Sequence, residues 1–326
     1  MGSLIKEISI RDIEGVSIGH AQDDRAKTGV SVIYFKNGAQ AGSDISGGGV
    51  AARETLLTDP VTADNPLNAV VLSGGSAFGL AASDGVMRCL EEHDIGYDTG
   101  YAKVPLVCQS CIFDLAYGRS DVRPDAAMGY EACQKALKEC DTSMGSVGAG
   151  TGACVGKMYG IKQSSKSGLG IHAIQVGELK IGAVVVVNAF GDVFNPENGE
   201  KIAGLLDVNR EKFLDMEEAF VKIMTTPKDL FHTNTTIGCI ICNARFDKAK
   251  LSKIASMTRN AYARCINPVG TMIDGDSIYA CSVGDVISDV NVVGMLSSRV
   301  MEKAIQKAIE ASKIDNEAYL KNCCKK

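Results

Sequence analysis

A chain of 326 residues with 45% apolar side chains and a formal net charge of −5 can build a sizeable core, as one large domain or two modest ones. Its 34 Lys and Arg stand against 39 Asp and Glu without any basic block, which argues against a nucleic-acid surface, since that needs clustered cations to replace phosphate counterions. No apolar run approaches the roughly 18–20 residues of a membrane span, and Met1–Ile10 lacks the zones of a secretion signal, so a cytoplasmic protein is expected.

Glycine is abundant and clustered, which points to tight turns and close backbone approaches. In chain order, short strands are predicted at Gly15–His20 and Val30–Phe35. A buried strand at Asn68–Leu72 runs into Gly74-Gly75-Ser76, and an apolar-periodic helix follows over about Ala77–Glu92. A second helix is expected over about Pro124–Glu139, then a glycine-rich stretch, Gly145–Lys157. A hairpin with strands near Gly170–Val176 and Ile181–Phe190 turns at Gly177-Glu178. A helix over about Glu211–Met224 leads into a polar loop, residues 225–234, that holds Pro227. Beyond it lie a strongly apolar strand, Thr236–Cys242, a long helix, Asp247–Cys265, a strand, Ser277–Val283, and a last helix over about Asn291–Ser312. There is no repeat and no linker, so one domain over 1–326 is expected. Strands and helices mix without a regular βαβ beat, which favours helix-covered sheets in an α+β or four-layer arrangement over a doubly wound sheet.

The twelve cysteines are scattered and read as buried thiols. Two pairs, Cys108/Cys111 and Cys239/Cys242, have Cys-x-x-Cys spacing. A zinc knuckle needs a tight turn, whereas Cys239 to Cys242 reads as a strand, in which residues three apart face opposite ways. The histidines, His20, His93, His172 and His232, show no ligand spacing, and neither metal nor cofactor is expected.

Several motifs fail on context. Gly148-Ala149-Gly150-Thr151-Gly152-Ala153 fits a loose dinucleotide pattern but follows a helix rather than a strand, and Gly156-Lys157 lacks the Ser or Thr of a phosphate loop, having Met158 instead. Gly74-Gly75-Ser76-Ala77-Phe78-Gly79 resembles a nucleophile elbow broken at Phe78. There Ser76 is expected to cap the helix, and the free N–H groups of Gly74, Gly75 and Ser76 to be able to hold an oxyanion or a carboxylate. Asn234-Thr235-Thr236 matches a glycosylation sequon, without a secretion signal to give it meaning.

One constellation carries chemistry. Amide hydrolysis needs a nucleophile, a base and an oxyanion stabiliser. An N-terminal Thr supplies the first two, because its α-amine, with a pKa of about 7.7–8.0, can take the hydroxyl proton. An internal Thr must first be liberated, and its hydroxyl can do this by attacking the preceding carbonyl. Asn234-Thr235 lies where the polar loop enters the apolar strand, so a hydroxyl sits at the edge of a core. Asp274-Gly275-Asp276 precedes the strand Ser277–Val283, and in extended chain its two carboxylates project to one side, where they could orient a nucleophile. Taken alone, Thr235 also reads as an ordinary strand residue and the Asp-Gly-Asp run as a polar turn.

Together these segments resemble the L-aminopeptidase/D-esterase family of self-processing peptidases, which includes β-aminopeptidases and the nylon-oligomer (6-aminohexanoate-oligomer) hydrolase. The similarity runs from about Ile10 to Val283 and is most specific at Leu72-Ser73-Gly74-Gly75-Ser76-Ala77-Phe78-Gly79-Leu80. Gly15–His20, Arg123–Ala126, Gly145–Gly152, Val187–Asp192 and Asn234–Gly238 support it. The resemblance implies an αββα sandwich like that of N-terminal-nucleophile hydrolases, with different connectivity. It also implies cleavage into an α chain, 1–234, and a β chain, 235–326, and assembly as a homo-oligomer, often of four such pairs. Thr235 matches the nucleophile, and Asp274 and Asp276 the pair that supports it. Lys157 and Asn188 match further polar site residues, Lys157 favouring the deprotonated nucleophile and Asn188 stabilising the oxyanion. β-Aminopeptidases carry Ser-Gly-Glu where this chain has Asp274-Gly275-Asp276. The nylon-oligomer hydrolase carries Asp-Gly-Asp and a Thr nucleophile, so this chain looks nearer to the latter. The implied substrate is a small peptide or linear amide. The competing readings are an uncleaved relative that binds a small metabolite and a serine hydrolase using Ser76.

Overall fold

The computed structural model describes residues 4–222 and 234–324. Residues 225–233 of the expected polar loop, with His232, lie outside the described residues, as does Met224.

Ten strands among the described residues form the main sheet system. They are β1 (Lys6–Ile8), β2 (Val16–Asp23), β3 (Thr28–Ile45), β4 (Ala52–Arg53) and β5 (Leu67–Ser73), then β6 (Val107–Cys111), β7 (Leu169–Val176), β8 (Leu179–Asn188), β9 (Thr235–Ala244) and β10 (Ser277–Val286). The helices are α1 (Ala82–Glu92), α2 (Ala126–Lys138), α3 (Met216–Val221), α4 (Lys248–Cys265), α5 (Val290–Glu310) and α6 (Asn316–Lys321).

The long strand β3 divides the system into two stacked sheets. Its first half, Val30 to Tyr34, lies between β2 and β5. Its second half, Gln40 to Ile45, pairs with β10. Between them the register with β5 slips from Tyr34 to Ala39, and Lys36 and Asn37 are exposed at the crossing. The strand expected from the sequence ends at Phe35, just before Lys36-Asn37-Gly38, whose composition is that of a turn. The chain instead bulges there and carries on into the other sheet. One sheet therefore runs β1-β7-β8-β9-β10-β3 and the other β2-β3-β5-β6-β4.

Three apolar interfaces give four layers. Between the sheets lie Ile33, Phe35, Val70, Leu72, Val184, Val186, Ile237, Cys239 and Ile241. On the outer face of the first sheet, Ala183, Val185, Val187, Ile240 and Cys242 meet Leu251 and Ile254 of α4 and Val300 and Met301 of α5. On the outer face of the second, Val30, Val32, Ala69 and Val71 meet Val86 and Leu90 of α1 and Ala132 and Ala136 of α2. Alternate residues of β5, β8 and β9 thus enter different cores, which is why these strands read as continuous apolar runs rather than as alternation. Burying each such Val, Ile or Leu contributes about 1.5–3 kcal/mol. The architecture is the expected α+β, four-layer αββα sandwich.

Each sheet holds one parallel pair joined through an outer helix, β5 and β6 through α1 and β9 and β10 through α4. Asp247 and Asp289 cap α4 and α5 through the N–H groups of Lys250 and of Asn291 and Val292. Helix α3 is shorter than expected, because Asp215 caps it through Glu218 N–H and Phe213 bridges Leu206 instead of continuing a helix. The segment before α1 is a 3-10 helix, Ser76–Ala81, with Gly75 rather than Ser76 at its cap position. No helix among the described residues is long and apolar enough to cross a membrane.

Ile241 is fully buried between the sheets, on a strand with neighbours on both sides. Ile241→Ala should lower the unfolding free energy by about 2–5 kcal/mol, read as a reduced urea midpoint at unchanged slope. A midpoint equal to wild type would mean that this interface is not a packed core.

Candidate active site

Thr235 opens β9 at the buried end of the β9–β10 pair. Across the antiparallel side it faces Asn188, the last residue of β8. On the parallel side the ladder begins one residue earlier, with Asn234 bridged to Asp274. Asn234 N–H donates to the Ile273 carbonyl at 2.9 Å, and Gly275 N–H donates to the Asn234 carbonyl at 2.7 Å. The Thr235 hydroxyl lies against that same Asn234 carbonyl, to which it donates. Gly275 is packed tightly against the hydroxyl: a β-carbon added there would stand 2.9 Å from Thr235 Oγ1 and 2.7 Å from the Gly49 carbonyl oxygen.

Asp274 and Asp276 turn to one side, as their spacing predicts, toward the adjacent amides of Gly270 and Thr271. Asp274 Oδ2 accepts from Thr271 N–H at 3.0 Å and from its hydroxyl at 2.7 Å. Asp276 accepts from Gly270 N–H at 3.1 Å and from Thr236 N–H at 2.7 Å. Burial, and then the charge of Asp274, pushes the Asp276 carboxyl up to about 7. Neither carboxylate hydrogen-bonds the Thr235 side chain. Asp276 reaches the nucleophile candidate through the backbone of Thr236.

Lys157 and Asn188 meet directly. Lys157 Nζ donates to Asn188 Oδ1 at 2.7 Å and to its backbone oxygen at 2.8 Å. Cys154 N–H donates to the same Oδ1 at 3.1 Å, and Asn188 Nδ2 donates to the Phe113 carbonyl at 2.9 Å. Burial brings the Lys157 ammonium down to about 8, opposed by the charges of Cys154, Asp274 and Asp114. The Asn188 amide is therefore aimed at Lys157 and Phe113. Among the described residues, the Asn234 carbonyl accepts from the Gly275 N–H and the Thr235 hydroxyl rather than from the Asn188 amide expected at an oxyanion.

The expectation for Gly74, Gly75 and Ser76 needs correcting. Their N–H groups are all engaged, with the Gly29 carbonyl at 2.9 Å, Asp114 Oδ1 at 2.8 Å and the Ile112 carbonyl at 2.9 Å. They are not free to hold a ligand, and Ser76 makes no side-chain cap because Gly75 occupies that position. The described histidines bond elsewhere, His20 to Ser31 at 2.8 Å and His93 to the Cys89 carbonyl at 2.7 Å, with His172 at 3.5 Å from Glu7. None of them activates Ser76. Cys239 and Cys242 face opposite layers, as strand residues three apart must.

Two elements escaped the sequence reading. Asp114 is buried, accepts from Thr28 Oγ1 at 2.7 Å as well as from Gly75, and is pushed up to about 6 by its burial. It ties the Gly74-Gly75 turn to the segment whose Phe113 carbonyl holds Asn188. The Gly47-Gly48-Gly49 run cradles the Asp-Gly-Asp segment: Gly49 N–H donates to the Asp274 carbonyl at 2.7 Å and Gly47 N–H to the Asp276 carbonyl at 3.2 Å. A β-carbon at Gly47 would stand 2.3 Å from Asp276 N, and one at Gly48 2.5 Å from Met272 Cα. The glycine triplet was the available signal, since only glycine permits such backbone contact.

The cluster is closed, with Asn234 at 0% and Thr235 at 3% exposure. Two surface clefts of about 460 and 430 Å³ lie away from it, both along α5, and contain none of its residues.

The fold matches solved structures closely in extent. The L-aminopeptidase D-Ala-esterase/amidase of Ochrobactrum anthropi, described as a new variant among the Ntn hydrolase fold, superposes with a TM-score of 0.67 at 16% identity over 96% of this chain and 93% of that one. A Burkholderia sp. β-aminopeptidase superposes at 0.65 with 17% identity, over 95% and 92%. In sequence, an uncharacterized aminopeptidase of Mycobacterium tuberculosis is 37% identical over 85% of this chain and 82% of its own length. A 6-aminohexanoate-oligomer endohydrolase of Agromyces sp. is 30% identical over 91% and 84%. The protein is thus a hydrolase of peptide or amide bonds on an Ntn-type fold. The model of Peptidase family S58 matches residues 9–320, and the chain belongs to that family.

The state of Asp276 can be checked through stability. Its carboxyl titrates at about 7 in the fold and at about 3.9 in the unfolded chain. Its neutral form therefore stabilises the fold fully below about pH 4, and that contribution is lost as pH rises through about 7. Urea unfolding at about pH 4, 5.5, 7 and 8.5, in a Thr235→Ala background that stays one chain, should show the Asp276 protein losing stability relative to Asp276→Asn across the first three points and little further change at the last. Parallel curves would mean that Asp276 ionises as it does in water.

Proposed function

We propose that the chain cuts itself between Asn234 and Thr235, and that the freed Thr235 is the nucleophile with which it hydrolyses peptide or linear amide bonds. The observation that carries this reading is the Thr235 hydroxyl lying against the Asn234 carbonyl while Gly275 N–H holds that carbonyl at 2.7 Å.

In self-cleavage, Thr235 Oγ forms a bond to the Asn234 carbonyl carbon. The hydroxyl proton passes to the Thr235 nitrogen as the C–N bond breaks, which leaves an ester. Water then hydrolyses the ester to the Asn234 carboxylate, restoring the Thr235 hydroxyl beside a new α-amine. The products are chains 1–234 and 235–326. In the hydrolytic cycle the α-amine, with a pKa of about 7.7–8.0, takes the hydroxyl proton and returns it to the leaving amine. The acyl group waits as an ester on Thr235 until water releases it.

The surrounding groups fit supporting roles. Lys157 sets a positive charge beside Asp274 and favours a deprotonated nucleophile, and Asn188 positions Lys157 through two hydrogen bonds of 2.7 and 2.8 Å. Asp276 fixes the start of β9 through Thr236 N–H at 2.7 Å. The similarity both to an aminopeptidase and to a 6-aminohexanoate-oligomer endohydrolase supports a peptide or linear amide as the bond that is cut.

A denaturing gel with intact mass should show the two pieces for wild type. Thr235→Ala should remain one chain and lose hydrolysis, Thr235→Ser should keep both, and Ser76→Ala should cut as wild type does. Full hydrolysis by Thr235→Ala would sink the proposal.

A further inference from the structure

We infer that the backbone edge Ile273–Gly275 is the subsite for the acyl residue of a substrate, with Gly275 N–H donating to the reacting carbonyl and the Ile273 carbonyl accepting from a nitrogen on the adjoining carbon. This rests on the Thr235 reading above and says where and how an external substrate is held.

The uncut chain displays an acyl residue already seated. Asn234 presents its carbonyl to Gly275 N–H at 2.7 Å and its own N–H to the Ile273 carbonyl at 2.9 Å. An oxyanion donor must stand about 2.7–3.1 Å from the reacting oxygen, and the nucleophile about 3–3.5 Å from the reacting carbon. Gly275 meets the first condition, and Thr235 Oγ1 lies against the same carbonyl oxygen. Residue 275 borders the nucleophile itself, since a β-carbon there would stand 2.9 Å from Thr235 Oγ1. The side-chain alternative, the Asn188 amide, donates to the Phe113 carbonyl and accepts from Lys157, and makes no bond to the Asn234 carbonyl.

The edge is occupied before the cut, because Asn234 is completely buried. The cut supplies the means of clearing it. A neutral amide carbonyl becomes a carboxylate next to Asp274 and Asp276, of which Asp276 already resists ionisation because of burial and its neighbour. Like charges in a buried site repel, and the new chain end, no longer tied to Thr235, is free to leave the edge.

The spacing of the two backbone groups selects the acyl residue. In Asn234 a single carbon separates the nitrogen from the carbonyl carbon, and that residue spans Ile273 to Gly275. An α-aminoacyl or N-acylated α-residue reproduces the span. A β-aminoacyl group inserts a further carbon and a 6-aminohexanoyl group several, so the nitrogen misses the Ile273 oxygen while the carbonyl sits on Gly275. The edge is therefore built for α-aminoacyl amides.

Two measurements test this. Glycolic acid placed at position 275 by nonsense suppression turns the Asp274–Gly275 amide into an ester, removing the N–H while keeping the side chains and weakening only the Asp274 carbonyl that Gly49 N–H bonds. Self-cutting should slow by about 10²–10³-fold. Cutting at the wild-type rate, while Thr235→Ala stays whole, would overturn this inference and leave the Thr235 reading standing. Hydrolysis surviving Thr235→Ala would overturn the Thr235 reading instead. On cut wild-type enzyme, the 4-nitroanilides of alanine, propionic acid, β-alanine and 6-aminohexanoic acid share one leaving group. The alanyl anilide should have a kcat/KM at least about tenfold above each of the others, the share of one charge-assisted hydrogen bond. A propionyl, β-alanyl or 6-aminohexanoyl anilide turned over as well as the alanyl one would also overturn it.

Discussion

In a parallel strand pair the hydrogen bonds slant, so one residue is bonded to the two that flank its partner. At the buried end of β9 and β10 this slant puts Asn234 between Ile273 and Gly275. The Asn234 carbonyl, the neighbouring Thr235 hydroxyl and a backbone donor are thereby brought together by main-chain geometry alone. The same register sets Asp276 against Thr236 N–H, and the antiparallel register on the other side sets Asn188 opposite Thr235. A slip of one residue would turn every side chain of β9 into the wrong core and move Thr235 off the carbonyl. The apolar alternation of Ile237, Cys239 and Ile241 against Ile240 and Cys242 holds that register in place.

The electrostatics of the cluster follow from its burial. Lys157, Asp114, Asp274 and Asp276 are all buried within one polar island between the sheets' ends. For three of them burial works against the charge, which brings Lys157 down to about 8 and pushes Asp114 and Asp276 up to about 6 and 7. Groups that would be fixed in charge at neutral pH in water thus titrate near it here, a property suited to proton transfer. The carboxylates are held by backbone amides, so their positions are set by main-chain geometry rather than by flexible side chains.

Much of the fold was legible from the chain. The hairpin turning at Gly177-Glu178, the apolar strand after Asn234 and the helices begun by Asp125, Asp247 and Asp289 all carry local signals that the structure repeats. What escaped was non-local. Lys36-Asn37-Gly38 has the composition of a turn, and nothing nearby tells that the strand bulges through it into a second sheet. At the site, the spacing of Asp274 and Asp276 revealed their common side, but the role of the Gly47-Gly48-Gly49 run became clear only once its partner segment, more than two hundred residues away, lay against it. Free N–H groups at Gly74-Gly75-Ser76 were a reasonable expectation from a glycine turn. They were filled by Gly29, Asp114 and Ile112, whose approach depends on tertiary packing.

The place of β9 and β10 in the first sheet has a further consequence. Both strands belong to the part of the chain beyond residue 234, yet they lie between β8 and the second half of β3, which precede it. With the Asn234–Thr235 bond cut as proposed, the short piece would be threaded through the middle of the long one and could separate only by opening the sheet along both flanks. Folding would then begin as an intramolecular event and end with two molecules, so that unfolding after the cut could be reversed only by a bimolecular encounter whose rate depends on concentration. The cut protein would persist by the height of its unfolding barrier rather than by an equilibrium it can revisit, and every such copy would carry a memory of having folded as one chain.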